Sequence, residues 1–131
     1  MVKVLDASAI LAFLWKEPNY EKVKELLTKA AESERKLLMS AVNWGEVYYV
    51  LAKDHSIDEV EGFMKLIETF PVEVVPVDSP LARQAALFKA QKKLPYADCF
   101  AAALAKLRKG ELVTADKEFK AVEGEIKILW I

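Results

Sequence analysis

The sequence predicts a three-layer α/β fold: a central parallel sheet of four to five strands flanked by helices. Three observations predict it. Short apolar, β-branched runs recur along the chain, longer segments between them carry apolar residues at helical spacing, and prolines and glycine mark the boundaries. At 131 residues the chain has the length of one domain with one core, and no linker, repeat or low-complexity stretch divides it.

The opening MVKVLD reads as a short buried strand ending at Asp6. SAILAFLWK follows as a helix that Pro18 breaks. Residues 20–35 place Val23, Leu26, Leu27, Ala30 and Ala31 on one face of a second helix, and Glu25 and Lys29 stand i, i+4 on its surface. LLMS is the next strand, and Ser40 is placed to cap a helix over 41–53. Residues 58–70 carry Val60, Phe63, Met64 and Ile67 at helical spacing, ended by Pro71. The β-branched stretch 72–77 reads as a strand, and Ser79 with Pro80 as the cap and first turn of a helix over 81–93. Pro95 opens the helix PYADCFAAALAKLRK, closed by Gly110. ELVTA is a strand, a helical turn begins at Asp116, and IKILWI is the last strand.

Bulk composition narrows the function. A formal net charge of −1 produces no field that would draw in nucleic acid, so any such contact needs a local patch. The one cysteine, Cys99, allows neither an internal disulfide nor a thiolate metal site, which suits a reducing cytoplasm. The apolar run 7–15 follows Asp6, lacks a basic start and is too short to span a bilayer, so it reads as part of the folded chain.

The carboxylates carry the chemistry. In open α/β sheets ligands gather at the carboxyl ends of strands. Asp6 ends the first strand and Asp116 follows the fourth, each before an expected helix start that favours negative charge. The plain alternative is that each only caps its helix. Glu46 has Val42, Tyr49 and Val50 as helical neighbours, so it is expected inside the apolar stripe, where a carboxylate needs a cation or a strong partner. Asp98 stands above Ala101, Ala102 and Ala105, small residues that let its helix approach the sheet closely. Four converging carboxylates repel one another unless a hard divalent cation, Mg²⁺ or Mn²⁺, compensates.

VLDASAILAFL, SAVNWGEVYYVL, LPYADCFAAALA and LVTADKEFKAV resemble, in order and spacing, the motifs of PIN domains, and most of all those of the small VapC-type toxins. The resemblance runs from Val4 to the final strand. It implies a Rossmann-like sheet and a metal-dependent endoribonuclease site formed by Asp6, Glu46, Asp98 and Asp116, with Asp6, Asp98 and Asp116 as metal ligands. Ser8 and Thr114 match the family's small hydroxyl residues beside those acids, and with Asn43 they are expected to orient the site. Asn43 departs from a frequent hydroxyl at that position. The resemblance further implies an RNA substrate, a homodimer, and a cognate antitoxin that blocks the site.

Other residues are weighed beside these. From Arg83 to Lys109 the basic residues Arg83, Lys89, Lys92, Lys93, Lys106, Arg108 and Lys109 face the single acid Asp98, as a phosphate-tracking surface would, or as the solvated side of two helices. Glu118 reads as an exposed helix residue rather than an extra ligand, His55 as a bystander in a polar connection, and Cys99 as a small core residue. Phe13, Trp15, Tyr20, Trp44, Tyr48 and Tyr49 concentrate in the first half, where some are expected to offer a partner helix an apolar surface. Three other readings are weighed: a catalytically silent PIN-like module, an RNA-processing nuclease without a toxin role, and a receiver-like signalling domain. The last fits poorly, because it would keep its acids at strand ends rather than on apolar helix faces.

Overall fold

The computed structural model describes residues 1–131. Five strands form one parallel sheet in the order β3-β2-β1-β4-β5: β1 (Lys3–Leu5), β2 (Leu37–Ser40), β3 (Val72–Val75), β4 (Glu111–Thr114) and β5 (Lys127–Trp130). Helices α1 (Ala7–Leu14) and α2 (Tyr20–Ser33) connect β1 to β2, and α3 (Ala41–Ala52) and α4 (Ile57–Glu68) connect β2 to β3. The chain then returns through α5 (Ser79–Gln91) and α6 (Tyr96–Leu107) to β4 on the other side of β1. A 3-10 segment, Lys117–Val122, leads to β5.

Alternation along the strands separates two cores, one on each face of the sheet. Val4, Leu38 and Leu112 pack with α5, α6 and the 3-10 segment, while Leu5, Leu37, Met39 and Val113 pack with α1 to α4. Every residue of α6 from Asp98 to Ala105 is buried. Its alanines leave little bulk between helix and sheet, which is why α6 lies close against β1, β2 and β4. No helix is long and apolar enough to cross a membrane.

Element boundaries differ from expectation where local chemistry intervenes. Strand β3 stops at Val75, paired with Ser40, instead of reaching 77, because Pro76 has no N–H to donate. Helix α4 starts at Ile57, one residue early, because Ser56 and Glu59 form a reciprocal capping box. Helix α5 starts at Ser79, and its cap is Asp78, whose Oδ1 accepts the Leu81 N–H at 2.9 Å; Ser79 itself is inside the helix. Gly110 sits where a Cβ would lie 2.5 Å from the Val2 carbonyl oxygen, so a side chain there would force apart the pairing of the chain start with β4.

The connections run outward from β1 to β3 and then restart at β4, so the winding reverses between β1 and β4. At such a reversal the loops leaving the two strands diverge and open a crevice above their carboxyl ends. Asp6 and Asp116 stand at this point.

Candidate functional site

Asp6 caps α1 from an extended backbone and is 2% exposed. Its Oδ1 accepts from Ser8 Oγ at 2.7 Å and from the Ala9 N–H at 3.1 Å, and its Oδ2 accepts from Thr114 Oγ1 at 2.6 Å. Capping and site-building therefore coincide in this residue. Burial raises its pKa to about 6, against the lowering effect of Thr114, Ser8 and the Ala9 amide; the charge of Asp116 adds to the rise.

Thr114 is the hinge of the cluster. Fully buried at the end of β4, its hydroxyl donates to Asp6 and accepts the Asp116 N–H at 2.9 Å. Ser8 Oγ lies 3.3 Å from Thr114 Oγ1 and accepts the Ala115 N–H at 3.1 Å. The two hydroxyls thus tie the loop after β1 to the loop after β4. Asp116 caps the 3-10 segment, accepting the Glu118 N–H at 2.9 Å.

Asp98 enters from the first turn of α6 and is 6% exposed. Its pKa is pushed up to about 8, first by burial, then by the charges of Asp116, Glu46 and Asp6 and by a hydrogen bond with Asp116. Acids that raise one another in this way form a cluster whose charge a divalent cation could compensate.

Glu46 is placed differently from expectation. The buried face of α3 is Asn43, Val47 and Leu51, while Tyr49 is 53% exposed, so the stripe of Val42, Tyr49 and Val50 is not the core face. Glu46 stands at the margin, half-buried, and electrostatically in reach of the other acids. Burial and Asp116 raise its pKa, against the Asn43 amide. Asn43 is completely buried; its Oδ1 accepts from Ser40 Oγ, and its Nδ2 donates to the Ala97 carbonyl at 3.1 Å. It thereby fixes α3 to the first turn of α6, one residue before Asp98.

Glu118 is exposed, as its position in the sequence suggests, and it also stands beside two of the acids. Carboxylate oxygens of Asp98, Asp116 and Glu118 lie within 4.8 Å of one another. Asp6 is not in this tight group, its oxygens being turned to Ser8, Thr114 and the Ala9 amide. The available signal was the short capped turn at Asp116, which folds the residue two positions on back toward its cap. His55 lies outside the site, Nδ1 at 3.0 Å from the Leu51 carbonyl and its ring edge-on to Phe63. Cys99 is buried against the Leu94 carbonyl.

The basic segment is partly engaged within the chain. Lys92 and Lys106 both pair with Glu125, at 3.1 and 3.5 Å, and Lys89 donates to the Leu94 carbonyl. Arg83, Lys93, Arg108 and Lys109 have no acidic partner and are exposed. Of the N-terminal aromatics, Phe13 stacks on Tyr20 at 5.0 Å, whereas Trp15 is 46% exposed.

No curated protein sequence matches the chain. Several solved structures share its fold. VapBC2 from Rickettsia felis, solved bound to a DNA fragment from its promoter, superposes with a TM-score of 0.79 at 17% identity, covering 100% of this chain and 99% of that one. VapC20 from Mycobacterium tuberculosis, described as a sarcin-ricin loop cleaving toxin, gives 0.72 at 16% identity over 92% and 94%. A toxin-antitoxin complex from Klebsiella pneumoniae gives 0.64 at 20% identity over 97% and 95%. At the level of sequence the PIN domain profile matches residues 3–125, nearly the whole length, and on that match the chain belongs to the PIN domain family.

Proposed function

We propose that the chain is a divalent-metal-dependent endoribonuclease and the toxin of a toxin–antitoxin pair. The observation that carries the enzymatic reading is the convergence at the sheet's switch point of acids from four separate elements, where burial first and the neighbouring acids second raise Asp98 to about 8. All-oxygen donors with a surplus of negative charge fit a hard cation, Mg²⁺ or Mn²⁺. In this reading Asp6, Asp98 and Asp116 hold the cation, Glu118 joins them, and Glu46 completes the negative potential. A cation there supplies charge neutralisation at a phosphodiester and a more acidic water. The chain's own part is positioning: Ser8 and Thr114 hold Asp6, Thr114 holds the Asp116 backbone, and Asn43 holds the turn that carries Asp98.

The toxin role is supported by fold neighbours described as a sarcin-ricin loop cleaving toxin and as a toxin-antitoxin complex. A cognate antitoxin and a homodimer, both in the cytoplasm, belong to the same proposal. Exposed Trp15 and Tyr49 are available to an apolar partner helix. Arg83, Lys93, Arg108 and Lys109 are the basic residues best able to meet RNA phosphates, since Lys89, Lys92 and Lys106 are already bonded.

Structured RNA incubated with the chelator-treated protein tests the reading. Cleavage on adding Mn²⁺ or Mg²⁺, abolished by EDTA and by Asp98→Asn, is expected. Cleavage that ignores both the metal and Asp98 would sink the mechanism, and metal-supported RNA binding with no cleavage would make the chain a silent module.

A further inference from the structure

At the opposite end of the strands lies a pocket that the acid cluster does not use. It opens at the amino ends of β1 and β2, beside the last two turns of α2, and has a volume of about 560 Å³. Strands of this length put it roughly 10 Å or more from the carboxyl ends where the acids meet. The volume falls within the range of small-molecule sites.

Its lining has two parts. Leu26, Ala30 and Leu37 form an aliphatic wall, with no aromatic ring on which a nucleobase would stack. Lys3, Lys29, Arg35 and Lys36 stand around it, and no acid lines the pocket. Lys3 and Lys29 are already paired, with Glu111 at 3.1 Å and Glu25 at 2.9 Å. Arg35 and Lys36 have no acidic partner, so an anion placed here meets uncompensated charge at the end of an aliphatic trough. One wall is rigid: the Val2 carbonyl accepts the Glu111 N–H at 2.8 Å, and Gly110 leaves room for that approach.

We propose that this pocket binds a small amphipathic anion, an aliphatic chain ending in a carboxylate. The chain lies on Leu26, Ala30 and Leu37, and the carboxylate pairs with Arg35 and Lys36. Arginine suits that role because its planar fork meets both carboxylate oxygens. The absence of an aromatic platform and of amide side chains in the lining disfavours a nucleotide. The site is independent of the nuclease reading, sharing no residue with it.

Octanoate is the probe, titrated into the full chain and followed by backbone amide shifts. Octanoate is expected to move the amides of Lys3, Ala30, Lys36 and Leu37 and to leave those of Asp98 and Asp116 unmoved. Acetate, which lacks the chain, and octylamine, which inverts the charge, are expected to leave all of them in place. Arg35→Glu/Lys36→Glu, at two exposed positions, should keep its melting midpoint and bind octanoate at least about tenfold more weakly. Leu26→Gln should weaken binding while leaving the cations intact. Equal binding of octylamine, unchanged affinity in the double variant, or shifts centred elsewhere would each overturn the proposal. So would displacement of octanoate by a short oligonucleotide, which would mark the pocket as a phosphate groove.

Discussion

Asp98 shows how one side chain can register a whole site. Alone at the start of a helix it would ionise readily, favoured by the helix dipole. Here burial and three neighbouring acids reverse that preference and hold its carboxyl at about 8. Asp98→Asn keeps the shape and removes the charge. RNA cleavage should fall more than about 100-fold, which is about 2.7 kcal/mol of barrier. The metal-free variant should melt at or above the wild-type temperature at pH 8, since it no longer buries a carboxyl among like charges. Near-normal cleavage by this variant would exclude Asp98 from the chemistry.

Thr114 and Glu118 provide the complementary tests at the same scale. Thr114→Val preserves volume but strips Asp6 Oδ2 of its donor in a dry environment, a loss of about 1.5–3 kcal/mol for a hydrogen bond to a charged group. Denaturant titration should show that destabilisation, and bound Mn²⁺ should shrink it, because a cation replaces the missing positive partner. Glu118→Gln is decisive for the ligand set. If Asp98, Asp116 and Glu118 hold the metal together, Mn²⁺ affinity should drop by about tenfold or more with little effect on metal-free stability. Unchanged affinity would return the site to Asp6, Asp98 and Asp116.

Among the elements, α5 and α6 make the clearest case that charge in a sequence is not yet a binding surface. Seven basic residues cluster there, yet Glu125 takes Lys92 and Lys106 together, and the Leu94 carbonyl takes Lys89. If RNA tracks this face, Arg83→Glu/Lys93→Glu should lower the slope of log affinity against log salt by roughly 0.7 for each lost phosphate contact on a single strand. A slope equal to wild type would move the RNA surface away from α5. Metal binding should survive either way, because neither residue is a proposed ligand. Helix α4 offers a contrast in which function is untouched: Ser56→Ala removes one half of a capping box and should cost about 1 kcal/mol with cleavage unchanged.

For the molecule as a whole, the acid cluster ties stability to pH, and under the proposed function a metal would compete with protons for the same negative charge. Asp6 and Asp98 have folded pKa values raised to about 6 and about 8, above their unfolded values near 3.9. The folded state therefore holds more protons than the unfolded chain between those limits, and stability must fall as pH rises through them. On this account the contribution of these two groups is full below about pH 4, and metal-free protein should lose melting temperature progressively from there to pH 8. Mn²⁺ should raise the midpoint more at pH 8 than at pH 5, because binding the folded state adds stability in proportion to occupancy. Chelator-treated protein melted at both pH values, with and without the ion, measures this directly. A metal-free midpoint that climbs from pH 5 to pH 8 would show that the acid cluster is compensated by some other means.

Much of this was readable before any tertiary structure. The β-branched runs, the punctuation by Pro18, Pro71, Pro95 and Gly110, and helical spacing of apolar residues determined the order of strands and helices, because those signals are local. Asp6 and Asp116 were legible as strand-end acids for the same reason. Tertiary structure alone decided what depends on distance between remote segments. It placed β1 between β2 and β4, and so brought Asp6 beside Thr114, 108 positions away. It chose Asn43, Val47 and Leu51 as the inner face of α3, because a helix turns its best-packing side to the sheet and leaves Tyr49 outside even though Tyr49 is apolar enough for the core. It also drew Glu118 in and turned Asp6 away from the tight carboxylate group. An acid's role is set by which charges surround it, and that is a property of the folded field, not of the neighbours in sequence.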